Sequence, residues 1–256
     1  MSTDRMATDR TATDHVTEEL VVPALYEGYP GLAFGGYVAG VLAGRTPPGT
    51  VRVDFRAAIR VGVPVRFGEL PDGGAALTDD AGNVLAGARP AAALDLDVPS
   101  APTWDEAVAA TAAYRAAPPS GVADGSVDCF GCGDRAPDRG LRQHCAPVPG
   151  RDVVAAAWAP HPAFDDGSGA LRPDLAWAAL DCPSAAPGIH FGGLRKGAVT
   201  ASLTGTMLRP MAVGEDHITY AWLIAESGRK HEMGVAAVTA SGELCAVGSA
   251  LWVDPR

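Results

Sequence analysis

The chain has 256 residues, 47% of them apolar, and a formal net charge of −10. That length accommodates one large domain or two small ones around a sizeable core. The acidity argues against sequence-independent nucleic-acid binding, although it allows a local basic pocket for an anionic ligand.

Residues 1–17 form a polar near-repeat of Ala, Thr, Asp and Arg, read as a disordered tail and lacking the layout of a secretory signal. No run of eighteen apolar residues follows, so no membrane span is expected. Five cysteines, an odd number scattered over the chain, suit a reducing, cytoplasmic setting better than a disulfide framework. Only two of the 20 basic residues are Lys and Ala is abundant, which fits a high-GC genome.

GYVAGVLA (36–43) is short, apolar and helical in pattern. AAIRVGVPV (57–65) and the segment LTDDAGNVLAGARPA (77–91) read as strands, the second pair joined by a turn at Gly82. Pro-rich ends then bracket a helix expected from Trp104 to Arg115, with Asp105 and Glu106 in its first turn where the helix dipole favours them. Beyond it the order returns. DLAWAALD (174–181) lies over 36–43, GTMLRPMAVGE (205–215) over 57–65 with Arg209 on Arg60, and VTASGELCAVGSALW (238–252) over 77–91 with Gly242 on Gly82. The offset grows from 138 to 149 to 160, as insertions in the later loops would make it. A duplication is expected. The predicted units are a tail (1–17), a first half (18–97), a helical connector (98–126) and a second half (127–256). Each half is an α+β unit with a sheet wrapped on one helix.

One residue sits badly in this pattern. Asp181 ends the apolar run 174–181, just before Cys182 and Pro183. A helix C-terminus repels anions, and burial of an unpaired carboxylate is costly.

CFGCGDRAPDRGLR (129–142) resembles the Cys-x-x-Cys-Gly entry of hotdog-fold acyl thioesterases, and the two helices resemble that family's central helix. The layout is similar to double-hotdog acyl-CoA thioesterases, over roughly 20–97 and 127–254. The resemblance implies two antiparallel sheets, each wrapped on a central helix, side by side. It also implies a helix opened by glycines and an acid eight residues on. Here the first half has Gly35 and Gly36, with Phe34 in place of the family's His, but Ala43 where the acid belongs. The second half has Asp181 but Pro173 where the glycine belongs. Combining the halves gives one complete site and one dead one. The N–H groups of Gly35 and Gly36 would hold the oxyanion, with Asp181 as base or nucleophile. The helix C-terminal field and partial burial are expected to raise the Asp181 pKa.

Phe34 and Tyr37 are candidate substrate contacts, and Ser202 falls near the hydroxyl position of the family's Asp, Thr/Ser, Gln triad. The Gln position falls near Ala250 and is lost. Arg229 and Lys230, in SGRKHEMG, are candidates for coenzyme A phosphates. Substrates would be acyl-CoA or an acyl carrier protein, with no other cofactor, and two such chains could pair as a homodimer. Alternatives are a dehydratase or other lyase using His161 with Asp174 or Asp181, and a non-catalytic acyl-thioester binder. For Cys129 and Cys132 a packed turn is the default. A zinc cluster with His144 and Cys145 fits no standard spacing, and a redox pair is the third choice. With only two cysteines close in sequence, no metal site is expected, and zinc should be substoichiometric.

Overall fold

A computed structural model of the protein describes residues 18–118 and 128–256. The expected disordered tail and part of the expected connector lie outside the described residues.

The first half contributes β1 (Glu19–Val21), β2 (Val51–Phe55), β3 (Pro64–Glu69), β4 (Ala75–Thr78) and β5 (Val84–Pro90). The second contributes β6 (Ala146–Pro147), β7 (Val154–Trp158), β8 (Val199–Met207), β9 (His217–Ser227), β10 (Lys230–Thr239) and β11 (Leu244–Val253). They form one antiparallel sheet in the order β1-β3-β4-β5-β2-β8-β11-β10-β9-β7-β6. The two expected sheets are therefore continuous, joined where β2 meets β8 with Val51 opposite Gly205 and Val53 opposite Leu203. Apart from β6 the order is a mirror about that seam, with β1 answering β7, β3 answering β9, β4 answering β10 and β5 answering β11.

The mirror extends to single hydrogen bonds. Gly82 and Gly242 both turn with positive φ, 80° and 90°. Their N–H groups donate to Asp79 and Thr239 carbonyls at 3.0 and 2.9 Å. Short 3₁₀ turns at Ala24–Tyr26 and Pro162–Phe164 precede the two helices. They receive matching bonds, from Phe34 N–H to the Tyr26 carbonyl and from Arg172 N–H to the Phe164 carbonyl. One expected correspondence is corrected. Ala33 N–H bonds the Ile59 carbonyl and Leu171 N–H bonds that of Met211, so Arg60 answers Ala212 rather than Arg209. Most of 57–65 and 205–215 is loop or strand end, because these residues bond the lead-ins to the helices instead of neighbouring strands.

Among the described residues four helices pack on this sheet: α1 (Gly35–Ala43), α2 (Trp104–Ala116), α3 (Pro173–Ala178) and α4 (Asp181–His190). The single helix expected over 174–181 is broken. Pro183 has no N–H to give the Ala179 carbonyl, so a continuous helix would lose that bond. Restarting at Asp181 places Pro183 in a first turn, where no intrahelical acceptor awaits an N–H. The Gln143 side chain takes over, its Nε2 donating to the Ala179 carbonyl at 3.0 Å.

α1 and α3 cross at the seam with their backbones in contact. A Cβ on Gly36 would lie 2.8 Å from the Ala178 Cα, and one on Gly40 only 2.2 Å from the Asp174 carbonyl oxygen. Glycines one helical turn apart open the channel that lets α3 approach. Leu42, Leu175 and Leu180 complete this crossing inside a core shared by both halves. Outside, α2 begins with a Thr103–Glu106 capping box. It covers the opposite face of the second half, burying Ala107, Ala110 and Tyr114 against Val153, Ile218 and Tyr220. No described helix is long and apolar enough to cross a membrane.

The crossing makes Gly40 intolerant of even one methyl. Gly40→Ala should lower stability by about 2 kcal/mol or more, as overpacked cores do. Gly68→Ala, whose Cβ would meet nothing within 4 Å, should stay near neutral. Urea denaturation of both variants checks this, and equal stabilities would mean that the helices can move apart freely.

Candidate functional site

The crossing brings Asp181 from the second half to the start of α1 in the first. Asp181 is the first residue of α4, not the last of an apolar helix as the sequence suggested. Its charge therefore meets the favourable, N-terminal end of a helix dipole. The carboxylate is 2% exposed. Thr200 Oγ1 donates to its Oδ1 at 2.7 Å, and the Gly36 N–H faces it. A Cβ on Gly36 would lie 2.7 Å from the Asp181 Cβ, so that position needs glycine for this approach, and one on Gly35 would lie 3.0 Å from Oδ2, a tight fit. Burial pushes the carboxyl up to about 6; the Thr200 bond and the Gly36 N–H oppose the rise and neighbouring Cys129 adds to it. Of the two causes expected from the sequence, burial acts and the helix C-terminus does not, because Asp181 begins a helix instead of ending one.

Asp181 opens on a cavity of about 970 Å³ built by both halves. Phe34, Gly35, Val38, Phe55 and Ile59 line it from the first half, and Cys182, Ala186, Leu194, Thr200 and Trp252 from the second. Tyr29 also lines it and ties the halves together, its hydroxyl donating to the Ala198 carbonyl at 2.9 Å. Exposed Arg56, Lys196 and Arg256 stand on its wall. An apolar cavity of this size with few polar groups and a basic margin suits an apolar ligand that carries an anionic group.

The other expected site residues separate. Phe34 lines the cavity, whereas Tyr37 is stacked on Tyr26 with ring centroids 3.9 Å apart, in the core. Ser202 pairs with Asp54 and Leu251 on the seam strand and lines no part of the cavity; Thr200 lines it and bonds Asp181 instead. The reason is a bulge. Leu251 opposes Ser202 and Trp252 opposes Thr200, leaving Ala201 as the extra residue and breaking the two-residue alternation of the strand. Arg229 donates to the Asp254 carbonyl at 3.1 Å, and Lys230 is exposed at the start of β10; neither lines the cavity. His161 caps the 3₁₀ turn, accepting the Ala163 N–H, and is likewise absent from the cavity wall. Asp174 pairs with Arg172.

Gln143 and Cys182 were not foreseen at this site. Gln143 lines the cavity and is 1% exposed, and its Oε1 has no partner among the described residues. Ala250, where the resemblance places a glutamine, is buried on β11. His144 does not join Cys129 and Cys132. Its Nε2 faces the Gly133 carbonyl, and its ring stacks on Tyr114. Cys145 is buried apart, with its thiol pushed up to about 12 by burial. Cys182, beside Asp181, joins the pair instead.

No family model and no curated protein matches the chain. Solved structures do. A Novosphingobium aromaticivorans protein provisionally designated a thioesterase aligns with a TM-score of 0.63 at 16% identity, covering 93% of this chain and 95% of that one. The tesB protein of Mycobacterium avium subs paratuberculosis gives 0.56 at 15%, covering 89% of each chain. A conserved Alicyclobacillus acidocaldarius protein of unknown function, described as having a hot dog fold, gives 0.54 at 13%, covering 96% and 95%. The fold is a double hotdog. At these identities the likeness is one of architecture, so the chemistry rests on the residues themselves.

In this double hotdog the position answering Asp181 is Ala43, which is 8% exposed, and Pro173 answers Gly35. Ala43→Asp should lower stability by about 3 kcal/mol, the scale for an unpaired carboxylate in an apolar slot. It should create no second site. Denaturation midpoints at pH 8 test this, and an unchanged midpoint would show that the silent half retains donors for an acid.

Proposed function

We propose that the protein hydrolyses acyl thioesters carried on coenzyme A or an acyl carrier protein, in a single composite site per chain. The observation that carries this reading is the position of Asp181. A carboxylate buried in one half, held by a hydroxyl beside a backbone N–H, faces the glycine end of the other half's helix inside an apolar cavity.

The chemistry follows from the donors and acceptors. Gly35 lies in the first turn of α1, whose N–H groups have no intrahelical acceptor. With the Gly36 N–H facing Asp181, the neighbouring Gly35 N–H is the donor for a thioester carbonyl, and its missing side chain lets the carbonyl come close. Asp181, oriented by Thr200, takes a proton from water as that water adds to the carbonyl carbon. The tetrahedral oxyanion rests on the α1 N-terminus. Its collapse breaks the C–S bond, and the departing thiolate takes the proton back from Asp181, leaving a carboxylic acid and a free thiol. The Gln143 carboxamide is a further group placed to orient water. Arg56, Lys196 and Arg256 suit the phosphates of the carrier, in the role first assigned to Arg229 and Lys230.

A free-thiol assay over acyl-CoA chain lengths tests the proposal. Asp181→Asn should stay folded, still bind acyl-CoA and lose about 100-fold or more in thiol release, the usual scale for a positioned acid–base group. Thr200→Val should lose roughly 10-fold or more, whereas Ser202→Ala and His161→Ala should change little. Thioester binding without turnover in the wild type would make this an acyl-thioester-binding protein. Loss of water from a 3-hydroxyacyl thioester that depends on His161 would make it a dehydratase.

A further inference from the structure

We propose that Cys129, Cys132 and Cys182 form a zinc site with three thiolate ligands and a fourth position open to the cavity. The expectation of no metal rested on two cysteines being close in sequence. Folding adds a third, because the break between α3 and α4 delivers Cys182 to the loop that carries the other two.

Three observations converge. The Sγ atoms of the three residues all lie within 4.8 Å of one another, with Cys129 and Cys182 3.5 Å apart. Tetrahedral ligands at the Zn–S distance of about 2.3 Å sit about 3.8 Å apart, so the three sulfurs need only small shifts to share one ion.

Second, the loop is shaped around a thiolate. The Gly131 N–H donates to Cys129 Sγ at 3.3 Å, and the Cys132 N–H points to the same sulfur. A neutral buried thiol gains little from two amide donors, whereas a thiolate bound to a metal is stabilised by them. Cys182 occupies the first turn of the ten-residue α4, where the helix dipole also favours a thiolate.

Third, the loop is docked tightly. A Cβ on Gly131 would come within 2.6 Å of Cys182 Sγ and 2.7 Å of the Phe34 ring. Glycine at 131 is what lets the loop reach Cys182. The Tyr114 hydroxyl donates to the Cys132 carbonyl, and His144 holds that of Gly133.

Three protein ligands with one open position is the arrangement of an accessible zinc rather than a closed structural one. All three cysteines line the cavity, so the open position faces it and water can complete the tetrahedron. Each thiol gives its proton to solvent as its Zn–S bond forms, so one ion releases three protons. Three converging sulfurs favour a metal over a redox pair, which uses two and strands the third. The inference is independent of the hydrolase reading.

The test uses Co²⁺ as an optical probe of the full-length chain, stripped of metal under reducing conditions. One equivalent should produce thiolate-to-cobalt charge transfer and the intense visible bands of a tetrahedral ion, and Zn²⁺ should abolish both. Protein purified without chelator should carry one zinc per chain by elemental analysis. Cys182→Ala should weaken cobalt binding at least 10-fold, and so should Gly131→Ala, which keeps every thiol but spoils the approach. Cys245→Ala should bind as the parent does. Thermal melts confirm that each variant is folded. Absence of charge transfer, binding indifferent to both Cys182→Ala and Gly131→Ala, or an intact mass 2 Da low from a disulfide among these cysteines would each overturn the proposal.

Discussion

Everything about this molecule's candidate chemistry depends on how closely α1 and α3 approach. Two glycines one turn apart, Gly36 and Gly40, remove the side chains that would hold the helices at an ordinary packing distance. Backbone then rests on backbone, Gly36 against Ala178 and Gly40 against Asp174. At that separation the first residue after the break in the second helix, Asp181, meets the exposed amides at the start of the first. With larger residues at 36 and 40, the seam strands could still pair through β2 and β8, but the carboxylate and the amides would no longer touch. The fold could survive such a change better than the site.

The duplication has been spent unevenly. Matched turns, lead-in hydrogen bonds and sheet order show two copies of one plan. Yet the features of the candidate site are divided between them. The first copy keeps Gly35 and has lost its acid at Ala43; the second keeps Asp181 and begins its helix with Pro173. A symmetric pair of hotdogs offers two sites across one seam. Here only one pairs a glycine helix start with a carboxylate, and at the other the helix start carries an Arg172–Asp174 ion pair, with Arg172 also bonded to the Tyr26 hydroxyl. That pairing fills the silent helix start with charges that satisfy each other.

Much of this plan was legible in the sequence, because hairpin glycines and apolar helical runs are local signals. Gly82 and Gly242 marked equivalent turns, and the resemblance to hotdog-fold thioesterases implied the pairing of Gly35 with Asp181. What escaped depended on local breaks in periodicity. The missing N–H of Pro183 ended one helix and began another, which moved Asp181 from an unfavourable helix end to a favourable one. The bulge at Ala201 exchanged Thr200 for Ser202. Cys182 and Gln143 lie far in sequence from the groups they join, and no local pattern announces them. Pro183 was nevertheless a readable clue, since proline seldom continues a helix whose preceding turn needs its N–H.

The central claim is that two half-sites make one working site per chain. The most direct measurement is the binding stoichiometry of a non-hydrolysable acyl-CoA thioether, by titration calorimetry on the full-length protein. The account predicts one molecule per chain, with binding lost when Gly35 is enlarged to Val at the cavity wall. Two molecules per chain, or one whose binding ignores Gly35→Val, would contradict it.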